Sequence, residues 1–221
     1  MSYKTVCVAG GGVLGSQIAF QAAYCGFDVT IWLRSEGSIG RTQPKIDHVR
    51  EEYIAAIEGM ADGTGEWCSG IADSGKPFDK EVALAAVERA YSTLKLELDL
   101  AKAVADADLV IESMAEDTQA KIDFYKKLAP VLPQKTVVVT NSSTLLPSTF
   151  AKYTGRPEKY LSLHFANSIW KNNMTEVMAQ DQTDKRYFDE LVDFANDIRM
   201  LALPVNKEKN GYLLNSMLVP W

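Results

Sequence analysis

His164 and Glu176 lie twelve residues apart in SLHFANSIWKNNMTEVM, each in a short stretch that reads as a strand. A carboxylate on one imidazole nitrogen fixes the tautomer and raises the basicity of the other, which suits a general base. A lone histidine at a strand end is more often structural, so the pairing with Glu176 carries the reading. Upstream, Asn141-Ser142-Ser143 follows the apolar run TVVVT, where a strand would deliver the chain to the carboxyl edge of a sheet. Ligands of open α/β sheets bind at that edge. Gly10, Gly12 and Gly15 form a second group, spaced G-x-G-x-x-G. In that pattern the first glycine permits a tight turn and the second lets backbone approach a pyrophosphate. The third lets helix and strand pack closely.

The elements around these residues set the context. Residues 4–9 read as a buried strand, and Leu14, Ile18, Ala19 and Ala22 then recur at helical spacing. Gly26 stands where a left-handed residue closes a helix, and 28–33 form a second strand. Strand, glycine turn, helix and strand make a βαβ unit, so the helix N-terminus at Gly12, Val13 and Leu14 faces any bound phosphates. Residues 45–58 predict an amphipathic helix, 59–78 a long glycine-rich loop or mobile projection, and 81–90 a further helix. Leu94, Leu96, Leu98 and Leu100 alternate with polar residues, the period of a strand with one wet face. The α/β rhythm resumes with strands at 109–112 and 136–140, helices at 117–129 and 184–198, and shorter strands at 161–164, 176–179 and 200–205. This pattern predicts a Rossmann-type, doubly wound, mostly parallel sheet. Its organisation is expected to be a dinucleotide-binding domain over 1–205, with a helical and loop projection over 45–90. Residues 206–221 would begin an all-helical second domain.

The second strand ends Ile31-Trp32-Leu33-Arg34-Ser35. Leu33 stands where an acidic residue would bind the ribose 2′-hydroxyl of NAD. Arg34 and Ser35 suit a 2′-phosphate instead, so the cofactor is NAD or NADP, with NADP favoured.

Composition excludes several classes. The 221 residues are 47% hydrophobic and 24% charged, and 23 basic against 29 acidic residues give a net charge of −6. That balance opposes general affinity for nucleic acid or anionic membrane. No apolar run approaches the ~18 residues of a membrane span, and MSYKTVCVAGGG has no apolar signal core. Three cysteines without metal-like spacing point to reduced thiols, a cytoplasmic setting and no metal site.

The chain resembles the 3-hydroxyacyl-CoA dehydrogenase family through GGGVLGSQIA, ADLVIESMAED, TNSSTLL, HFAN and NGYLLNSMLVP, a set that covers nearly the whole sequence. The resemblance implies that His164 is the catalytic base and Glu176 its partner. It implies that Ser143 and Asn215 contact substrate, and that Glu116 and Lys121 occupy positions contacting cofactor and substrate. The expected reaction is the interconversion of a (3S)-3-hydroxyacyl-CoA and the 3-ketoacyl-CoA. Lys45, Arg50 and Lys76 are candidates for a patch receiving the anionic coenzyme A. Three departures stand out: Leu33, the Ser168–Asn173 loop where the family has prolines, and the ending at Trp221, where the family's helical, dimer-forming domain would begin. From that ending a truncated form is expected, and a homodimer when the second domain is present. The alternatives are a dehydrogenase of a free hydroxy acid, of sugar-acid or carnitine type, and a dinucleotide-binding module without turnover. A 3-hydroxyisobutyrate type would need a lysine in a long interdomain helix, which this sequence does not contain.

Overall fold

The computed structural model describes residues 3–213. Strands β1 (Thr5–Ala9), β2 (Asp28–Trp32), β3 (Lys95–Glu97), β4 (Leu109–Glu112), β5 (Val137–Thr140) and β6 (Tyr160–Phe165) pair in parallel. β7 (Met174–Met178) runs antiparallel to β6, and β8 (Leu201–Val205) parallel to β7. The eight strands form one sheet in the order β3-β2-β1-β4-β5-β6-β7-β8. The order reverses between β1 and β4, and at such a switch point the carboxyl ends of the strands leave a crevice for ligand.

Side-chain alternation along β1 divides the core between two faces. Val6 and Val8 point to the larger cluster, with Ile18, Phe20, Tyr53 and Phe194, while Cys7 and Ala9 point to the smaller, with Val110, Phe124 and Tyr125. Helices α1 (Val13–Tyr24), α2 (Glu36–Asp62), α3 (Lys80–Thr93) and α6 (Lys185–Asp197) supply the first cluster. Helices α4 (Leu100–Val104) and α5 (Thr118–Leu128) supply the second. Central strands β4 and β5 are buried throughout, as their apolar residues require, and each ends in one buried polar residue, Glu112 and Thr140. Gly26 adopts φ +96° and its N–H bonds the Ala23 carbonyl, closing α1 as expected.

Two elements differ from expectation. Helix α2 starts at Glu36 rather than 45 and carries Pro44 inside it. Proline and two glycines argue against helix over 36–44, but tertiary contacts override them: Thr42 and Ile46 are buried, and the Thr42 hydroxyl donates to the Gly11 carbonyl at 3.1 Å. The alternating leucines give only the three-residue β3. Asp99 accepts from the N–H groups of Ala101 and Lys102, and this N-cap turns Leu100 into the start of α4.

The connection between α2 and α3 has little regular structure but is tied down at both Cys68 and Ile71, which are buried. Gln21 on α1 does much of this. Its amide donates to the carbonyls of Gly70 and Ile198, both at 2.9 Å, and its oxygen accepts from the Tyr53 hydroxyl. Tyr24 reaches the Ile71 carbonyl at 3.2 Å. Among the described residues no helix is long and apolar enough to cross a membrane. Gln21→Leu keeps the volume but leaves two buried carbonyls and a phenol unpaired, at about 1–3 kcal/mol each. Urea unfolding of the variant is expected to show a loss of several kcal/mol, with the slope of the transition unchanged.

Candidate active site

The two halves of the site lie along the carboxyl edge of the sheet. Gly10 follows β1 with φ +119°, a conformation that favours glycine, and its N–H donates to the Trp32 carbonyl at 3.1 Å. A Cβ on Gly10 would meet the Ser113 carbonyl oxygen at 2.5 Å, and one on Gly15 the Gly10 oxygen at 2.1 Å. A Cβ on Gly12 would meet nothing within 4 Å. The first and third glycines are therefore fixed by packing, while Gly12 presents bare backbone to open space. Gly12 and Val13 are exposed and Leu14 half-buried, and the first turn of α1 carries no acidic residue and no side-chain cap. These amide groups fit a pyrophosphate.

A cavity of about 290 Å³ opens beside the glycine loop. Leu33 is buried under the loop, whereas Arg34 and Ser35 are exposed, and Arg34 lines the cavity mouth. Ser38, Arg41 and Lys45 of α2 line the same cavity. Residues 36–44 read as non-helical, so Ser38 and Arg41 were not predicted to join Lys45, the first residue of the expected helix, beside the loop.

The other half is built by the reversal of β7. In the antiparallel register His164 on β6 stands directly opposite Glu176 on β7, so the twelve-residue spacing is the span of a hairpin. The His164 Nδ1 lies 2.8 Å from Glu176 Oε2, and both side chains are buried. With a carboxylate at Nδ1, that nitrogen carries the proton and Nε2 is left as the acceptor. Nε2 lies 3.1 Å from the Ser143 hydroxyl. The other carboxylate oxygen of Glu176 accepts from the Leu213 N–H at 2.6 Å. Tyr212 lies against His164 with ring centroids 4.7 Å apart. Ser162 donates to the Thr140 carbonyl at 3.1 Å and so accepts from the Tyr212 hydroxyl at 2.7 Å. Burial raises the Tyr212 phenol well above its usual range, which keeps it a donor.

Glu116 joins the two halves. It accepts from the Ser142 hydroxyl at 2.8 Å and from the Ser143 N–H at 2.5 Å, so it sets the loop that presents Ser143 to His164. Asn141 adds a second tie, accepting from the Phe165 N–H at 3.0 Å. Lys121 is buried, and its Nζ lies 2.6 Å from Glu112 and 3.8 Å from Glu116. Glu112, at the end of β4, also accepts from the Met114 N–H and from the hydroxyls of Tyr125 and Thr140. Lys121 thus neutralises a buried carboxylate that anchors the loops beneath the site. Asn215 and the apolar residues after Leu213 lie outside the described residues. Lys45, Arg50 and Lys76 do not assemble into one patch. Lys45 lines the glycine-loop cavity, Arg50 pairs with Glu88 at 2.6 Å, and Lys76 pairs with Asp73 at 2.7 Å.

Tyr212, Ser162 and Glu112 were missed because each acts through a tertiary contact that no local pattern records. Removing one member of the buried Lys121–Glu112 pair leaves an uncompensated charge. Lys121→Met is expected to cost about 3–5 kcal/mol in chemical denaturation, and adding Glu112→Gln to recover part of that loss.

The family model for the NAD binding domain of 3-hydroxyacyl-CoA dehydrogenase matches residues 5–209. The human protein named hydroxyacyl-coenzyme A dehydrogenase, mitochondrial, is 28% identical over 219 residues, 99% of this chain and 63% of that protein. A 3-hydroxybutyryl-CoA dehydrogenase of Clostridioides difficile is 28% identical over 97% of this chain and 68% of its own length. The chain therefore spans about two thirds of these relatives. Among solved structures, a diketoreductase described for dual catalysis of dicarbonyl compounds superposes with a TM-score of 0.79. It is 41% identical, over 100% of this chain and 70% of that one. Glycine cradle, strand order and family match agree, and the chain belongs to the 3-hydroxyacyl-CoA dehydrogenase family, in the part that forms its NAD-binding domain.

Proposed function

We propose that this chain serves the reversible oxidation of a (3S)-3-hydroxyacyl-CoA to the 3-ketoacyl-CoA, with His164 as general base. The observation that carries the reading is His164 held between Glu176 and Ser143, at the sheet edge that also bears the glycine loop. A nicotinamide cofactor, when bound, supplies hydride transfer at the substrate carbon. The chain's own residues handle the proton and the charge. Nε2 of His164 takes the proton of the 3-hydroxyl, and Glu176 orients the ring and stabilises the imidazolium that forms. The Ser143 hydroxyl, within reach of Nε2, donates to the reacting oxygen as charge develops there. By the family resemblance Asn215 joins Ser143 at that oxygen. A binding module without turnover would have no use for this buried, ordered set. The three cysteines are free thiols, in keeping with a reducing compartment such as the cytoplasm.

The cofactor preference in this reading is NADP. Arg34 stands at the cavity mouth, and buried Leu33 replaces the carboxylate that would repel a 2′-phosphate.

A second reading has a specific observation behind it. The diketoreductase match is the 41% one, and the three candidate cations for coenzyme A are scattered. On that reading the substrate is a small 3-oxo compound without coenzyme A. Comparing turnover of acetoacetyl-CoA with that of acetylacetone separates the two. Strong preference for the thioester supports the first reading, and preference for the diketone supports the second.

His164→Gln is expected to lower turnover at least about a hundredfold while leaving cofactor affinity near wild type. Steady-state assay beside a fluorescence titration checks both, and wild-type turnover would remove the mechanism. NADPH is expected to bind about ten- to a hundredfold tighter than NADH, and Arg34→Ala to level the two. Equal affinities in the unaltered protein would contradict the NADP assignment.

A further inference from the structure

We propose that Arg41, steadied by Ser38, is a second specificity-determining cation for the 2′-phosphate of NADP, in the cavity that Arg34 also lines. The inference rests on the nicotinamide-cofactor reading and extends the role given there to Arg34. Arg34, Ser38, Arg41 and Lys45 all line the cavity beside the glycine loop. Ser38, Arg41 and Lys45 follow one another at helical i+3 and i+4 spacing, so α2 presents them on one face. The Arg41 guanidinium donates to the Ser38 hydroxyl at 3.0 Å, and that hydroxyl lies 2.9 Å from the hydroxyl of Ser35.

Charge bookkeeping points the same way. Elsewhere in the described residues several cations meet carboxylates, Arg50 with Glu88, Lys95 with Asp28, Lys121 with Glu112 and Lys135 with Asp108, while others such as Lys102, Lys152 and Lys171 form no ion pair. What sets this group apart is a shared cavity lined by no carboxylate. Arg34, Arg41 and Lys45 form no ion pair among the described residues, although they share one cavity. Glu36, the acid in the first turn of α2, does not line it. Three cations gathered without a carboxylate fit a dianionic ligand, whereas the neutral 2′-hydroxyl of NAD would leave them uncompensated. The guanidinium at Arg41 can give two N–H groups to one phosphate, and its bond to Ser38 restricts where it points. The site therefore takes a phosphomonoester on the adenosine half of the cofactor, with Arg34 and Arg41 as its two main ligands.

The test uses the adenosine half alone and needs no catalysis. Adenosine 2′,5′-bisphosphate and adenosine 5′-monophosphate are titrated by calorimetry into the 221-residue chain. The bisphosphate is expected to bind at least about tenfold tighter. Arg41→Gln should remove about ten- to a hundredfold of bisphosphate affinity and leave the monophosphate unchanged, with Arg41→Lys intermediate because the point charge survives. If Arg34→Gln abolishes the preference and Arg41→Gln leaves it intact, the role of Arg41 is wrong while the NADP reading stands. An equal loss of both ligands in Arg41→Gln would show Arg41 serving the adenine or the helix, and would also overturn the inference. No preference in the unaltered chain would overturn both readings together.

Discussion

A buried carboxylate against a buried imidazole is the contact around which the rest of the structure is arranged. Glu176 is removed from water on β7, and a charge in that position is costly unless it is paired and hydrogen-bonded. His164 satisfies one oxygen and the Leu213 N–H the other. The pairing needs β7 to run against β6, since the antiparallel register sets the two residues face to face across the hairpin. Extending the otherwise parallel sheet by two reversed strands is thus what sets the imidazole and the carboxylate face to face at the sheet edge.

The two halves of the cleft are coupled through carboxylates at the end of β4. Glu112 draws together Lys121, Tyr125, Thr140 and the Met114 N–H, so the loops after β4 and β5 share one anchor. Glu116, four residues on, holds Ser142 and Ser143. The glycine loop touches the same place, because Gly10 packs on the Ser113 carbonyl. A displacement of the loop after β4 therefore moves both the cofactor cradle and the serine facing His164.

Much of this was legible in the sequence, for identifiable reasons. Buried parallel strands read as near-continuous apolar runs, so LVIE over 109–112 gave β4 without error in its bounds. The glycine spacing and the His–Glu pair announce themselves because their chemistry demands particular residue types. What escaped detection depends on tertiary contact. Residues 36–44 are poor helix formers and became helical through burial of Thr42 against the glycine loop. With that stretch went Ser38 and Arg41, which line the cavity beside the glycine loop. The leucine alternation over 94–100 was a sound strand signal that the cap at Asp99 cut short. The ion pair of Lys121 with Glu112 is a buried tertiary contact that the local sequence of neither residue records.

Whether Glu176 fixes His164 with its proton on Nδ1, leaving Nε2 to accept from Ser143, can be read directly. The sequence has two histidines, so side-chain nitrogen NMR of uniformly labelled protein gives two imidazoles, and His48→Gln assigns them. The account predicts that neutral His164 shows an Nδ1–H shielded from exchange and an unprotonated Nε2, and that Glu176→Gln disturbs this tautomer. A His164 protonated on Nε2, or one averaging freely between tautomers, would contradict it.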